Sequence, residues 1–340
     1  MAIVASDLSS VRATACRPQS WQAAMKSAIR DAGELCRELE LPADLASMAA
    51  AASFRVFAPR GYVAKMVPGD PDDPLLLQVL PRVAETSDAS GFVQDPVGDL
   101  DASRAPGLIQ KYRGRVLLIA TGACAVHCRY CFRRHFPYEA TPRTLEAWRP
   151  AIDQISKDNS IEEVILSGGD PLTLVDSLLE QLVGELERIP HLKRLRIHSR
   201  LPVVIPERVS DELLAWLTGS RLTPFVVIHS NHAREIQGDV ATALSKLIHA
   251  GIPVLNQSVL LRGVNDDVES LVELSRALVN LRVVPYYLHQ LDRVAGATHF
   301  EVPVDRGLQL IEQLRSQLPG YAVPRYVQEI AGELSKRVLA

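Results

Sequence analysis

The chain has 340 residues, 47% of them apolar and only 5% aromatic, with 37 basic and 40 acidic residues and a net charge of -3. That size and apolar content suit one large domain with a smaller one attached, and the near-neutral balance gives no bulk electrostatic case for nucleic acid or an anionic membrane. No apolar run approaches the ~20 residues of a membrane span, the first residues lack signal-peptide order, and five cysteines without a disulfide framework fit a reducing compartment; a cytoplasmic protein is expected.

Residues 1–107 read as a helical N-terminal region. Apolar residues recur at helical spacing from Trp21 to Leu35, and the alanine-rich stretch from Leu45 to Phe54 is helix-prone. Gly69-Asp-Pro-Asp-Asp-Pro74 is a turn-rich break before Leu75 to Leu80, and 86–107 are loop-like, with Ser, Asp, Gly and Pro throughout. Over 108–318 the pattern changes. Short β-rich runs at 116–120, 163–167, 194–198, 225–229, 254–257 and 283–288 alternate with amphipathic stretches near 144–157, 176–189, 208–218, 239–250, 267–281 and 304–317. Most units begin roughly 30 residues apart, the length of a β-loop-α unit in a parallel sheet. Residues 319–340 remain as a C-terminal tail.

Six such units fit either an open doubly wound sheet or an incomplete (β/α) barrel, and periodicity does not separate the two. The strand ends favour one. Polar residues follow nearly every run: Ser167-Gly-Gly-Asp170, His198-Ser-Arg200, His229-Ser-Asn-His232, Asn256-Gln-Ser258 and His289-Gln-Leu-Asp292. A barrel gathers all these ends at one mouth, whereas an open sheet gathers only those near its switch point. The expected fold is therefore α/β, a partial six-unit (β/α) barrel with a helical N-terminal extension.

The most informative stretch follows the first run: Cys124-Ala-Val-His-Cys128-Arg-Tyr-Cys131. Thiolates suit iron-sulfur clusters, and a four-iron cluster usually takes four of them, so three ligands leave one iron open to another molecule. Read alone, the spacing also suits a structural zinc site or buried cysteines. No second Cys or His pair stands nearby to complete a zinc site, and the aromatic Tyr130 before the third cysteine is typical of a cluster loop. Cys16 and Cys36 lie far away and receive no role.

This loop resembles that of the radical S-adenosylmethionine (SAM) enzymes, whose open iron binds SAM and whose cluster cleaves it to a deoxyadenosyl radical. Ser167-Gly-Gly-Asp170 is similar to their glycine motif, which holds the SAM amino group; Asp170 also suits a helix cap. Further strings resemble the lysine 2,3-aminomutase branch: Gly69 to Leu75, Pro106-Gly-Leu-Ile-Gln-Lys-Tyr112, Arg196 to Pro202, His229 to His232, Asn256 to Asp266, Pro285 to Asp292 and Pro319 to Pro324. Together they cover nearly the whole chain beyond the first sixty residues.

The resemblance implies three cofactors: a 4Fe-4S cluster on Cys124, Cys128 and Cys131, SAM, and pyridoxal 5'-phosphate (PLP). Moving an amino group from Cα to Cβ needs a hydrogen atom taken from an unactivated carbon and an electron sink for the migrating nitrogen. PLP rests on a lysine, and only seven lysines are available, at 26, 65, 111, 157, 193, 246 and 336. Lys336 occupies the family's PLP position, preceded by the single Gly332 where the family has a glycine-rich run. Gly168, Gly169, Asp170, Ser199, Arg200, His229 and Gln257 are implied as further cofactor contacts. Lys111, Tyr112 and Arg115 match the stretch near the PLP phosphate, where arginine is commoner at the first position. Arg133 matches the arginine that grips the substrate carboxylate, in keeping with bidentate geometry. Asp292 and Glu329, the latter where aspartate is more usual, match the pair that binds the distal ammonium of L-lysine. The implied enzyme is an isomerase converting L-α-lysine to β-lysine. The short form ending at Ala340, with Cys128-Arg-Tyr-Cys-Phe-Arg-Arg-His-Phe-Pro-Tyr138, resembles the bacterial enzyme that makes (R)-β-lysine for a separate ligase acting on elongation factor P. An electron donor is implied and an oligomer is possible.

Overall fold

The computed structural model describes residues 20–340, so Cys16 lies outside the described residues. The N-terminal region consists of short helices: α1 (Trp21–Lys26), α2 (Ala32–Glu38), α3 (Met48–Ser53), α4 (Arg60–Val63) and α5 (Pro74–Leu77). The helical pattern from Trp21 to Leu35 is therefore split in two. The cause is local: Ile29 exchanges backbone hydrogen bonds with Ala58 at 2.8 and 2.9 Å, and the Asp31 carboxylate caps a fresh helix by accepting from Glu34 N at 2.7 Å.

Two short strands, β1 (Ser103–Ala105) and β2 (Leu108–Ile109), lead into the repeating part: β3 (Arg115–Thr121), α6 (Leu145–Lys157), β4 (Glu163–Gly168), α7 (Asp176–Glu187), β5 (Arg194–Ser199), α8 (Leu201–Val204), α9 (Asp211–Gly219), β6 (Thr223–His229), α10 (Asp239–His249), β7 (Val254–Val259), α11 (Val268–Asn280), β8 (Val284–His289) and α12 (Val304–Gln317). β9 (Arg325–Gln328) and β10 (Arg337–Val338) follow. All ten strands form one sheet in chain order. β3 to β9 are parallel, while β1, β2 and β10 pair antiparallel at the two edges. The six predicted units are thus the centre of a wider, partial barrel, and the C-terminal tail contributes two strands to its far edge.

Register explains why the strand ends meet. Leu118, Leu166, Ile197, Val226 and Val254 sit opposite one another in sequence along a buried row, so Thr121, Gly168, Ser199, His229 and Gln257 reach the same rim. One apolar core runs from Trp21, Leu35 and Leu75 in the N-terminal helices through Val116 and Leu166 to Leu217 and Val254. A second cluster joins Leu288, Leu310 and Tyr326 under α12. Cys36 belongs to the first core, where burial pushes its thiol pKa up, as for a small apolar side chain. Among the described residues no helix is long and apolar enough to cross a membrane.

The N-terminal region also grips the cysteine loop through charge. Glu85 lies between Arg129 and Arg134, with its Oε2 accepting from Arg129 Nη2 at 2.5 Å and from Arg134 Nη2 at 3.0 Å, and all three side chains are at most 2% exposed. Arg129 also donates to Ala50 O at 3.1 Å and to Phe54 O at 2.5 Å. Removing the acid leaves two cations buried without it, a loss of roughly 3 kcal/mol. Glu85→Gln is therefore expected to lower the urea unfolding midpoint by that equivalent, whereas Glu139→Gln, at a site of no such pairing, serves as the control.

Candidate active site

The rim is built on a close backbone approach. Gly168 adopts φ +111°, and a Cβ on Gly169 would lie 2.3 Å from Ala123 O, so only glycine fits. Gly169 N donates to Thr121 O at 2.8 Å and Asp170 N to Ala123 O at 2.7 Å, stitching this turn to the start of the cysteine loop. Tyr138 OH donates to Gly168 O at 2.7 Å. The Asp170 carboxylate serves four donors: Leu172 N (3.1 Å), Ser199 Oγ (2.8 Å), Arg200 N (2.8 Å) and Leu201 N (3.0 Å). The cap expected there is present, and it also ties the second strand end to the third. Ser199 and Arg200 are thereby fixed, with the Arg200 guanidinium turned beneath the loop.

Cys124, Cys128 and Cys131 are free thiols with partial exposure. Burial, then repulsion from Cys131, raises the Cys124 pKa. Burial and Cys128 push Cys131 up to about 11. Among the described residues no group of three or more His, Cys, Asp or Glu side chains is arranged to hold a single metal ion. A cluster is different, because each thiolate takes a separate iron.

Across the bowl lies a chain of opposite charges. Arg133 Nε donates to Asp99 Oδ2 at 2.6 Å, and Arg133 Nη1 approaches Ser167 Oγ at 3.4 Å. Lys111 Nζ pairs with Asp99 Oδ1 at 2.7 Å and with Glu329 Oε1 at 3.4 Å. Tyr112 OH donates to Glu329 Oε1 at 2.7 Å, the Arg115 guanidinium stacks 4.6 Å above the Tyr112 ring, and Lys336 closes the chain on Glu329 Oε2. Burial works to raise the carboxyl pKa values of Asp99 and Glu329, but their cations outweigh it and hold both below the ordinary range. Asp292 differs. Burial pushes its carboxyl up to about 7, Lys336 opposing and Glu329 reinforcing the shift.

His229 accepts at Nε2 from Gln257 Nε2 at 2.6 Å, a pair formed where β6 and β7 end. His198 and His289 also face this charge cluster. Burial keeps both neutral, with Arg196 the next influence on His198 and Lys336 on His289. Among the described residues neither His198 Nε2 nor His289 Nε2 has a hydrogen-bond partner, so the bowl contains buried polar atoms suited to a bound molecule. Not every polar strand end faces the bowl. The Asn256 side chain bonds Ser230 N at 2.9 Å and Ser258 Oγ at 2.9 Å, a framework role.

Sequence reasoning missed Asp99, which lies in a loop without periodicity. An acid placed to receive Lys111 and Arg133 has no local signal of its own. It also missed Tyr62, Gln78 and Glu235, whose side chains surround Arg200.

Comparison with known proteins agrees with this geometry. Residues 118–275 match the model of the radical SAM superfamily. The chain is 46% identical to L-lysine 2,3-aminomutase of Haemophilus influenzae, covering 95% of this chain and 96% of that protein. It is 44% identical to L-lysine 2,3-aminomutase of Escherichia coli, covering 94% of each. The chain belongs to the lysine 2,3-aminomutase family. A longer relative from Clostridium subterminale is 40% identical over 80% of this chain and 65% of its own length.

The aminomutases of this family are isomerases, and the radical SAM family implies a 4Fe-4S cluster and SAM. The donor set fits the cluster. Cys124 and Cys131, desolvated and beside another cysteine of the loop, are poor acids by themselves, and bound iron would displace their protons and offset the repulsion among the thiolates. The glycine turn stands directly against the loop that carries them. Gly169→Ala places a methyl group against the Ala123 carbonyl and is expected to reduce iron per chain at least several-fold while leaving far-UV circular dichroism intact; iron content equal to wild type would show that the close approach is dispensable.

Proposed function

We propose that this aminomutase converts L-α-lysine to β-lysine, with PLP carried on Lys336 and the cluster on Cys124, Cys128 and Cys131. The observation that carries the reading is the placement of Lys336 beside Glu329 and Asp292, with Arg133 across the same bowl. Such a site offers an amine for a carbonyl cofactor, a guanidinium for one carboxylate, and acids for a terminal ammonium.

When bound, SAM on the cluster supplies a carbon radical that removes a hydrogen atom, and PLP supplies the electron sink for the migrating nitrogen. The protein's own part is binding, orientation and charge. Arg133 takes the substrate carboxylate, already aimed by Asp99. Lys111, Tyr112 and Arg115 line the phosphate side of the pocket. His229, Gln257, Gly168, Gly169, Asp170, Ser199 and Arg200 shape the SAM side, the glycines by close backbone approach and Asp170 by fixing Ser199 and Arg200. Glu329 Oε2 stands against Lys336 Nζ, positioned to hold the proton this amine sheds as it becomes a nucleophile. With Lys336 holding the cofactor and that proton passed on to solvent, the Glu329 carboxylate would be an anion again and would join Asp292 in holding the distal ammonium of lysine.

The product is read as (R)-β-lysine made in the cytoplasm for a separate ligase that modifies elongation factor P, with an electron donor serving the cluster. What supports this is the resemblance of the Cys128 to Tyr138 string to that branch.

The test is direct. Anaerobically reconstituted protein with PLP, SAM and dithionite is supplied with lysine, glutamate or arginine in parallel, and β-lysine is expected from lysine alone. Lys336→Ala should lose the absorbance of lysine-bound PLP together with turnover. The Asp292 carboxyl adds a pH dependence. Its anion is present above about 7 and is lost as the pH falls through that value, so KM for lysine should rise on acidification below neutrality. Asp292→Asn should raise KM roughly 30-fold, about 2 kcal/mol, and flatten that profile; an unaltered profile would remove Asp292 from the lysine pocket.

A further inference from the structure

Beneath the cysteine loop the Arg200 side chain sits in a buried polar cluster with Tyr62, Gln78 and Glu235, none of which the steps above use. Arg200 follows β5, its backbone N held by Asp170 at 2.8 Å, and its side chain is 6% exposed. Nη1 donates to Cys128 Sγ at 2.7 Å and to Tyr130 OH at 2.8 Å. Nη2 donates to Gln78 Oε1 at 2.6 Å, Glu235 Oε2 at 2.8 Å and Tyr62 OH at 3.2 Å. Among the described residues this is the one side-chain hydrogen bond to a cysteine of the loop.

The partners are themselves held. Glu235 Oε1 accepts from Asn231 N at 2.8 Å and His232 N at 3.0 Å, and Gln78 Nε2 reaches it at 3.3 Å. Asn231 Nδ2 donates to Tyr130 OH at 2.7 Å. The guanidinium is thus clamped between a fully buried carboxylate and one thiol, with contacts from the N-terminal helices, the cysteine loop and the turn after β6. Such a clamp leaves little rotamer freedom, so the charge beside Cys128 has a fixed distance.

We propose that Arg200 is a positioning residue for the cluster, whose guanidinium, offset by Glu235, sets the charge at the Cys128 thiolate and thereby the potential at which the site accepts an electron. The proposal rests on the reading of Cys124, Cys128 and Cys131 as iron ligands. The physical argument is one of sign. Reduction adds a negative charge, a hydrogen-bonded cation at a ligand sulfur favours that form and raises the potential, and hydrogen bonds to sulfur are an established lever on cluster potentials. Glu235 opposes the effect from the far side of the same guanidinium. Tyr62 and Gln78 place the cation, so the N-terminal region acts on Cys128 through Arg200.

The experiment is an anaerobic redox titration followed by low-temperature electron paramagnetic resonance, without SAM or substrate. Iron and sulfide are measured first: wild-type protein without a cluster overturns the ligand reading, and with it this proposal. With the cluster present, Arg200→Gln is expected to shift the reduced-to-oxidised ratio about tenfold toward oxidised, about 59 mV lower for one electron. Glu235→Gln is expected to move it the opposite way, and Arg200→Lys to fall between Arg200→Gln and wild type. A loosened loop alone would move Arg200→Gln and Glu235→Gln in one direction. Loaded variants that titrate at the wild-type potential, or that both shift the same way, overturn the proposal while leaving the ligand reading intact. Should Arg200→Gln fail to load iron, Glu235→Gln and Arg200→Lys carry the test, and an unmoved potential in both overturns it.

Discussion

A carboxylate withdrawn from water loses several kcal/mol of solvation unless a cation accompanies it, and this bowl withdraws Asp99, Glu329 and Asp292 together. The arrangement of the site follows from how those charges are matched. Asp99 is shared by Arg133 and Lys111, and Glu329 by Lys111, Tyr112 and Lys336. Asp292 is the least compensated, which is why its carboxyl alone is pushed upward to about 7. An incoming ammonium is the group that relieves it. The same matching fixes the end of the chain: Lys336 is drawn to the bowl by Glu329, and β10 pairs with β9 directly beyond it, with Arg337 opposite Gln328 and Val338 opposite Val327.

The cysteine loop shows the same rule on a different scale. Three arginines surround it, two of its own and one from the end of β5, and each is buried against an acid from another part of the chain: Arg129 and Arg134 against Glu85, Arg200 against Glu235. Phe54 stacks against His127 at 5.0 Å, and His127 N donates to Phe57 O at 3.0 Å. A region that by composition is an unremarkable helical preface is therefore the outer wall of the loop. This accounts for a single apolar core spanning both, since a wall that fixes charged groups must itself be rigid.

How much of this was legible depends on the range of the interaction. The six central strands and their helices announce themselves through local periodicity, and their observed bounds fall close to those read from the sequence because burial on both faces demands continuous apolar runs such as Val116 to Ala120. β1, β2, β9 and β10 have two to four residues each, too few to show alternation, and they owe their existence to pairing with a sheet already formed. The break at Ser27 to Asp31 was hidden because the bridge from Ile29 to Ala58 lies outside any helical window. Among site residues, the cysteines and the glycine turn are marked by spacing. Lys336 is marked only by resemblance. Asp99, Tyr62, Gln78 and Glu235 are ordinary polar residues until the fold carries them to a cation.

Glu329 owes its part in the bowl to the reach of its side chain. One of its oxygens accepts from Tyr112 and meets Lys111, while the other reaches Lys336, so the carboxylate bridges the two lysines of the bowl. An aspartate is one methylene shorter and brings its oxygens nearer its own strand, satisfying one of these groups more readily than all three. Lys111 matches that reach: a flexible ammonium donates to both Asp99 and Glu329 from one point, whereas a guanidinium imposes a planar fork. The two side chains lie in contact, so the reach of one is matched to that of the other.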